Sequence, residues 1–425
     1  MTSRERVRLA INHKQPDRVP IDLGSTVVTG ISASTYSKLR QELGLKHQSV
    51  KVIECYQMLG EVETEVRELL GIDTLPILRP NSRFGFKNDN WKPWRMFDGT
   101  DVLVPGAFNT VEDENGDILM YPGGDTTAEP SARMPKDGFY FDSIIRQQEI
   151  DEDNLDPKEW MDGFLSVISD EELKFIQEQT DLNYANTDYS LVFWYGSGGI
   201  GDIGSVPAPW IDKPKGIRDI SMWYTAPLLY PDYVKGIFEL QTNLVIQNLK
   251  LLKEALGDKI DVFGVSGTDF GAQNGPFISP EIYREFFKPF HIQMNNWIHE
   301  NTNWKVMYHS CGSIIAFLDD FIEAGVDIIN PVQCSAAGMD PQTLKDKWGD
   351  KLVFWGGAVD TQQVLPFGTV NDVQEQTKER VKIFGKDGGF VAAAIHNIQQ
   401  SVPPENVAAF FETLRGSKRL FNKID

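Results

Sequence analysis

Short apolar segments alternate with helical patterns through the second half of this chain of 425 residues. The apolar segments are rich in β-branched and aromatic residues, and each is followed by a stretch in which apolar residues recur at helical spacing. This alternation is typical of βαβ units, in which a helix connects two parallel strands. It therefore predicts an α/β fold built on a parallel sheet.

Eight segments have the strand pattern. They are Val19–Leu23, Thr74–Leu78, Leu191–Tyr195, Asp261–Val265, Lys305–His309, Asp327–Pro331, Leu352–Trp355 and Gly389–Ile395. Helix starts between and after them are marked by proline at Ser279-Pro280, Asp340-Pro341 and Pro403-Pro404. Eight strands with helical connections predict a closed (β/α)8 barrel, the TIM barrel, and a doubly wound open sheet is the alternative.

Residues from about 84 to 160 depart from this alternation and are rich in Trp, Asp, Gly and Pro. Within them, Thr110–Tyr121 has the pattern of a β-hairpin that turns at Glu114-Asn115-Gly116-Asp117. The aromatic residues are too many for a flexible linker. We therefore expect one barrel domain over residues 1–425, with a β-rich insertion at about residues 84–160.

The composition excludes several classes of partner. There are 41 Lys and Arg residues against 61 Asp and Glu residues, a net charge of −20, whereas nucleic acids and anionic membranes select basic faces. No apolar run approaches the ~18 residues of a membrane span. The chain begins with the capping-box pair Thr2 and Glu5 instead of an apolar signal sequence, and three cysteines are too few for a disulfide framework. We therefore expect a cytoplasmic protein that binds neither nucleic acid nor membrane.

A glycine motif at Gly196–Gly201 matches the pattern Gly-x-Gly-x-x-Gly of dinucleotide-binding proteins. That pattern binds a pyrophosphate only where a helix starts directly after it. The following residues include Gly204, Pro207 and Pro209, which are incompatible with a helix. The sequence therefore predicts a loop at a strand end and no nicotinamide site.

His309 and Cys311 lie two residues apart at the end of the predicted strand Lys305–His309. Side chains at positions i and i+2 of an extended chain point to the same side. Imidazole nitrogen and thiolate sulfur are ligands that zinc prefers. The pair is therefore a candidate zinc site, and an inert pair of buried core residues is the structural alternative.

A catalytic zinc usually has three protein ligands and one open position. His396 follows the last predicted strand, at the end of the barrel where active sites gather. Cys334, which follows the neighbouring strand Asp327–Pro331, is the competing third ligand, but it could equally be a loop thiol. We prefer His396.

Further polar residues at strand ends predict the rest of an active site. Asp269 and His396 are the catalytic candidates, and a carboxylate there can orient a ligand or transfer a proton. The predicted substrate-binding residues are Asp22, Tyr308, Asn397 and Gln399. Turn capping is the alternative role for both aspartates. Tryptophans near strand ends are core residues by default and could form an aromatic wall, and they are Trp194, Trp210, Trp223 and Trp355.

The chain resembles the uroporphyrinogen decarboxylase superfamily over nearly its whole length. The segments that carry the resemblance are Arg4–Leu23, Thr268–Phe286, Tyr308–Gly312, Asn330–Asp340 and Gly388–Val407. That family is a single (β/α)8 barrel and contains decarboxylases of haem biosynthesis and a methyltransferase branch. The methyltransferases move methyl groups between methylated substrates or thiols and corrinoid proteins, and their zinc is held by His-x-Cys and a distant third ligand.

Residue by residue, His309 and Cys311 match the His-x-Cys pair of that branch. His396 falls where the methyltransferases usually have a cysteine and the decarboxylases a histidine, so the third ligand stays open. Asp269 falls where the decarboxylases keep their central aspartate. The arginine-rich porphyrinogen-binding segment of the decarboxylases is missing, because residues 22–31 contain no arginine. A substrate with many carboxylates needs cationic clamps, so the methyltransferase branch is favoured.

The resemblance thus implies a zinc-dependent methyltransferase. It would move a methyl group from a small methylated substrate, such as a methyl ether, to a corrinoid protein, or from that protein to a thiol. The implied cofactors are zinc and a corrinoid (cobalamin) carried on the partner, and a homodimer is a further expectation. The alternatives are a metal-free decarboxylase, of uroporphyrinogen or a related substrate, that uses Asp269, and a non-catalytic subunit that binds a methyl carrier or stores zinc.

Overall fold

The computed structural model describes residues 1–416, and at its centre a parallel sheet of seven strands curls into a barrel. The strands, numbered in chain order, are Thr74–Ile77 (β1), Ser190–Trp194 (β2), Val262–Ser266 (β3), Lys305–His309 (β4), Ile328–Asn330 (β5), Val353–Trp355 (β6) and Phe390–Val391 (β7). Each strand pairs in parallel with the next one in this order. Seven of the eight predicted strands are therefore present, with ends shifted by a few residues.

The predicted first strand, Val19–Leu23, is reduced to a single parallel bridge between Ile21 and Ala392. Backbone hydrogen bonds still attach it to both edges of the sheet. The Asp22 N–H donates to Ala392 O at 2.9 Å, and the Asp73 N–H donates to Ile21 O at 2.8 Å. This segment occupies the eighth position, so the predicted fold is confirmed as TIM-barrel-like, with a very short strand at the closure.

Helices surround the barrel. The α-helices are Ser3–Ile11, Ala33–Glu42, Thr64–Leu70, Pro157–Met161, Asp170–Asn186, Ile220–Leu229, Pro231–Leu256, Pro280–Ile282, Lys288–Asn301, Leu318–Glu323, Pro341–Trp348, Val364–Phe367, Val370–Phe384 and Pro404–Arg415. The predicted starts are confirmed: Thr2 and Glu5 form a capping box, and the Ser279 and Asp340 side chains each accept a backbone N–H of the turn that follows. None of the helices in residues 1–416 has the length and apolar character that a membrane crossing requires.

The glycine motif lies in a loop after β2, and the next helix starts only at Ile220. Gly196 and Gly201 have φ values of 70° and 66°, a left-handed conformation that starts no helix. The loop is bonded to the end of β3 through a bridge between Ser197 and Ser266. The prediction that the glycine motif forms a loop at a strand end, with no helix directly after it, is therefore confirmed.

Two small sheets, the first mixed and the second antiparallel, occupy the N-terminal half. Their strands are Lys92–Arg95 and Asp101–Val104 with Val50–Glu54 and Leu59–Gly60, and Thr110–Glu112, Ile118–Met120, Ala132–Met134 and Asp142–Ser143. The predicted hairpin is confirmed, and its turn residue Gly116 has a φ of 83°. The β structure begins at Val50, before the predicted boundary, because Val50–Glu54 pairs in parallel with Asp101–Val104.

Residues two apart on the barrel strands share the barrel interior. One apolar cluster contains Val192, Val262, Met307, Ile328, Val353 and Val391 from β2 to β7, and the helix Ser3–Ile11 packs against it through Val7 and Ile11. We call the six strand residues the lower layer. The residues two positions further along the same strands, Trp194, Gly264, His309, Asn330, Trp355 and Ala393, form the upper layer, at the carboxyl ends of the strands where barrel active sites lie.

Candidate metal centre

Three side chains at the carboxyl end of the barrel place their metal-binding atoms together. They belong to His309, Cys311 and His396, and the ligand atoms all lie within 4.8 Å of one another. Within residues 1–416 no other group of three such side chains meets this spacing. The structure thus brings together the His-x-Cys pair and the preferred third ligand, and Cys334 is not part of the group.

Asn330 orients the first of these ligands. His309 Nδ1 lies 2.6 Å from Asn330 Oδ1, and Asn330 Nδ2 donates to Trp355 O at 2.9 Å. Because the amide nitrogen of Asn330 is used by Trp355, its oxygen accepts the proton of His309 Nδ1. Nε2 of His309 therefore keeps its lone pair and faces Cys311 Sγ at 3.2 Å. Burial lowers the pKa of His309 to about 4, so the ring is neutral at neutral pH.

Asp269 supports the second ligand. Its Oδ1 accepts the Cys311 N–H at 2.6 Å and lies 4.0 Å from His309 Nε2. Its side chain remains 30% exposed, and the burial of the rest of the carboxyl group raises its pKa. Burial and the charge of Asp269 raise the pKa of the Cys311 thiol well above its usual range. A divalent cation reverses that balance, because coordination deprotonates a thiol.

Gly312 makes the turn after Cys311 possible. Its φ is 80°, and a Cβ atom at this position would lie 2.4 Å from Gly271 O. Only glycine fits such a close approach of two backbones. The turn therefore fixes Cys311 directly beside the loop that carries Asp269.

His396 supplies the third candidate ligand from the segment after β7. Its ring centroid lies 5.2 Å from that of His309, with the planes at 68°. Burial and the neighbouring His309 lower the pKa of His396 to about 3. Two neutral imidazoles and one thiol are a donor set that suits zinc, and three ligands leave one position open.

Three predicted substrate-binding residues make hydrogen bonds within the protein. Asp22 is 1% exposed, and its oxygens accept from Thr74 Oγ1 at 2.6 Å and Trp355 Nε1 at 2.8 Å. Tyr308, also 1% exposed, donates to Asn295 Oδ1 at 3.1 Å on the outer helix. Buried Asn397 bonds to Gly30 N, Val27 O and Gln57 Oε1. These polar atoms are bonded within the protein, and a role of the three residues in substrate binding stays a prediction.

The remaining predicted residues are placed as follows. Half-buried Gln399 accepts a hydrogen bond from Thr35 through its backbone oxygen at 2.7 Å, and a role of its side chain in substrate binding stays a prediction. Cys334 packs against the main apolar core, and burial raises the pKa of its thiol to about 12. Trp210, Trp223 and Trp355 donate to Gly163 O, Gly201 O and Asp22 Oδ2, as core residues do.

Two further residues near Asp269 were missed by the sequence analysis. Asp202 lies in the loop after β2, and burial together with the charge of Asp269 raises its pKa. Burial and the charges of Asp269 and Asp202 raise the pKa of Tyr224 to about 12, so its hydroxyl stays protonated. Within residues 1–416 the Tyr224 hydroxyl has no hydrogen-bond partner. The only sequence signal for Asp202 was its position directly after the glycine motif Gly196–Gly201.

Comparison with known proteins gives two matches. The family model for "Uroporphyrinogen decarboxylase (URO-D)" matches residues 203–417, slightly more than half of the chain and including all three candidate ligands. Among 43 matching chains of solved structures is a methyltransferase from Methanosarcina mazei, with a TM-score of 0.54 and 14% sequence identity over 98% of this chain and 99% of that chain. At this identity the likeness shows the fold alone. No curated protein matches the sequence.

Proposed function

The chain belongs to the uroporphyrinogen decarboxylase (URO-D) family, and on that basis we propose that it is a zinc-dependent methyltransferase. It would transfer a methyl group from a small methylated substrate, such as a methyl ether, to a corrinoid carried on a partner protein, or from that partner to a thiol. The observation that carries the proposal is the convergence of His309, Cys311 and His396 within 4.8 Å at the active-site end of a barrel.

The zinc would be held by His309 Nε2, Cys311 Sγ and a ring nitrogen of His396. When bound, zinc polarises an ether oxygen or lowers the pKa of a thiol, and either effect makes methyl transfer easier. Asn330 holds His309 in the tautomer that presents Nε2. The two imidazoles stay neutral near pH 7, so no proton has to leave them before a cation binds.

Asp269 is the proposed acid–base residue of this site. Its Oδ1 accepts the Cys311 N–H and so fixes Cys311, while the side chain remains 30% exposed. A carboxyl group with a raised pKa beside a thiol can take up the proton that the thiol releases, or exchange a proton with a substrate. The residue thereby keeps the charge of the site balanced as ligands bind.

The acidic surroundings of Asp269 support methyl transfer over porphyrinogen decarboxylation. Asp202 lies close enough for the two charges to interact, whereas residues 22–31 contain no arginine. Arg83 also acts on Asp202 and lowers its pKa, so the negative charge that would repel a substrate with many carboxylates is partly offset. The three cysteines, all free in the structure, support a reducing cytoplasmic location.

Metal analysis of protein purified without added metal tests the proposal. We expect about one zinc per chain, lost in His309→Ala, Cys311→Ala and His396→Ala and kept in the control Cys334→Ala. Corrinoid methylation should fail in the same three variants. Protein that takes up no zinc even when it is offered, and whose activity survives Cys311→Ala, would overturn the proposal, and uroporphyrinogen turnover would then identify a decarboxylase.

A further inference from the structure

The indole of Trp194 stands directly beside the candidate metal ligands. Trp194 is the upper-layer residue of β2, and its ring meets that of His309 edge-on, with centroids 6.4 Å apart and planes at 89°. It is half-buried, while the other strand-end tryptophan of the upper layer, Trp355, is fully buried. Trp194 therefore forms part of the wall around the ligand group.

Three glycines make room for this ring. A Cβ atom would lie 2.2 Å from the ring at Gly264, 2.9 Å from Nε1 at Gly196, and 3.5 Å from the ring at Gly267. The first of these approaches is impossible for any other residue without movement of the indole. Glycines on two neighbouring chain segments thus hold one large aromatic side chain at the edge of the metal centre.

The N–H of this indole has no acceptor. Buried tryptophans usually find one, and six others in residues 1–416 do, namely Trp160, Trp210, Trp223, Trp304, Trp348 and Trp355. Within that range the half-buried Trp91, Trp94 and Trp297 lack an acceptor as Trp194 does, but only Trp194 among these four lies beside a candidate metal ligand. No group in residues 1–416 accepts a hydrogen bond from Trp194 Nε1. This nitrogen is not buried, because it is absent from the set of buried polar atoms that lack a partner, so the N–H remains accessible. Gly196 places no side chain against this N–H, where a Cβ atom would lie 2.9 Å from Nε1.

We propose that Trp194 is a substrate-contacting residue whose N–H donates a hydrogen bond to an oxygen atom of the bound substrate. This inference rests on the proposed function, because the substrate is placed by the metal beside His309. The chemical class that fits is a small molecule with an ether, hydroxyl or carboxylate oxygen close to the atom that binds the metal. The ring face and edge supply the apolar wall against the rest of that molecule.

Two thiols of nearly equal size test this role on the cobalt-loaded protein. The probes are 2-mercaptoethanol and 1-propanethiol, which differ in a hydroxyl against a methyl group and whose thiolates give a cobalt absorption band on binding. The measured quantity is the ratio of the affinities for 2-mercaptoethanol and 1-propanethiol. We expect this ratio to be about fivefold higher in the wild type than in Trp194→Phe, because the variant loses one hydrogen bond to the hydroxyl group. The control Trp223→Phe loses an indole N–H that already donates to Gly201 O and should keep the wild-type ratio.

The outcomes separate the two claims. If Trp194→Phe binds cobalt with the wild-type spectrum and has the wild-type ratio of thiol affinities, the inference is wrong while the metal site stands. If the wild-type protein binds no cobalt, the proposed function fails and the inference fails with it. A check that does not use the cobalt band is the indole N–H signal of Trp194 in protein labelled with 15N-tryptophan, identified by its loss in Trp194→Phe. On the zinc-loaded protein it should shift with 2-mercaptoethanol more than with 1-propanethiol.

Discussion

The lower and upper layers of the barrel are built from the same strands, two residues apart, and differ completely in chemistry. The lower layer is a closed set of aliphatic side chains and one methionine, capped by Val7 and Ile11 of the first helix. The upper layer contains an imidazole, an amide, two indoles, a glycine and an alanine, of which Trp355 and Ala393 also pack against the lower layer. One layer therefore supplies packing, and the next supplies polar atoms that are fixed in direction by their neighbours.

The two layers also differ in how completely their atoms are satisfied. Lower-layer side chains need only apolar neighbours, and all six are fully buried. In the upper layer, the Trp355 N–H and the Asn330 amide are bonded within the protein, whereas His309 Nε2 faces Cys311 Sγ and the Trp194 N–H has no acceptor in residues 1–416. The chemistry available to a ligand in this barrel therefore depends on which polar atoms of the upper layer have no fixed partner within the protein.

Met307→Ala should produce the largest loss of stability, since it removes a fully buried side chain from the lower layer. We expect a loss of about 2–5 kcal/mol in the free energy of unfolding, from lost burial and the cavity left behind. Zinc content of the folded protein should stay near the wild-type value. Chemical denaturation and metal analysis together check this, and a folded Met307→Ala protein without zinc would show that the layers are not separable.

Gly264→Ala tests whether the upper layer is packed around the indole. The new methyl carbon would lie 2.2 Å from the Trp194 ring, so we expect a loss of about 1–3 kcal/mol by overpacking. In a Trp194→Leu background the smaller side chain leaves space, and the same substitution should cost at least about 1 kcal/mol less. Denaturation of the four proteins of this cycle measures the coupling, and equal costs in both backgrounds would contradict the packing described here.

The parts of the site that follow from strand geometry could be predicted from the sequence. His309 and Cys311 share a side because they are two residues apart, and His396 follows the last strand, so parallel strand ends bring it near. The same alternation places Tyr308 on the opposite face of the strand, where its hydroxyl donates to Asn295 Oδ1. Asp22 could not be interpreted in this way, because its partner Trp355 lies 333 residues away in the sequence.

The residues that surround the candidate metal ligands could not be predicted from the sequence patterns used here for the ligands themselves. Asn330 reaches His309 from the neighbouring strand, where the two residues are paired in register, and Asp202 lies near Asp269 in a loop that is bonded to the end of β3. Such contacts depend on the register between strands, which hydrophobic patterns do not specify to the single residue. Residues that orient ligands are therefore harder to predict than the ligands themselves.

Asn330→Ala should have the smallest effect on the fold and a specific effect on the metal. Loss of the acceptor for His309 Nδ1–H leaves the tautomer of this ligand unfixed, and partners of this kind contribute roughly 10–100-fold to metal affinity. Asn295→Ala is the matched control, because Asn295 is equally buried and bonds to Tyr308, the neighbour of His309 on the outer face. Both variants lose a buried amide, so both should lose stability. Only Asn330→Ala should weaken zinc binding in a competition titration with a chelator, and equal weakening in both variants would mean that the upper layer orients no ligand of its own.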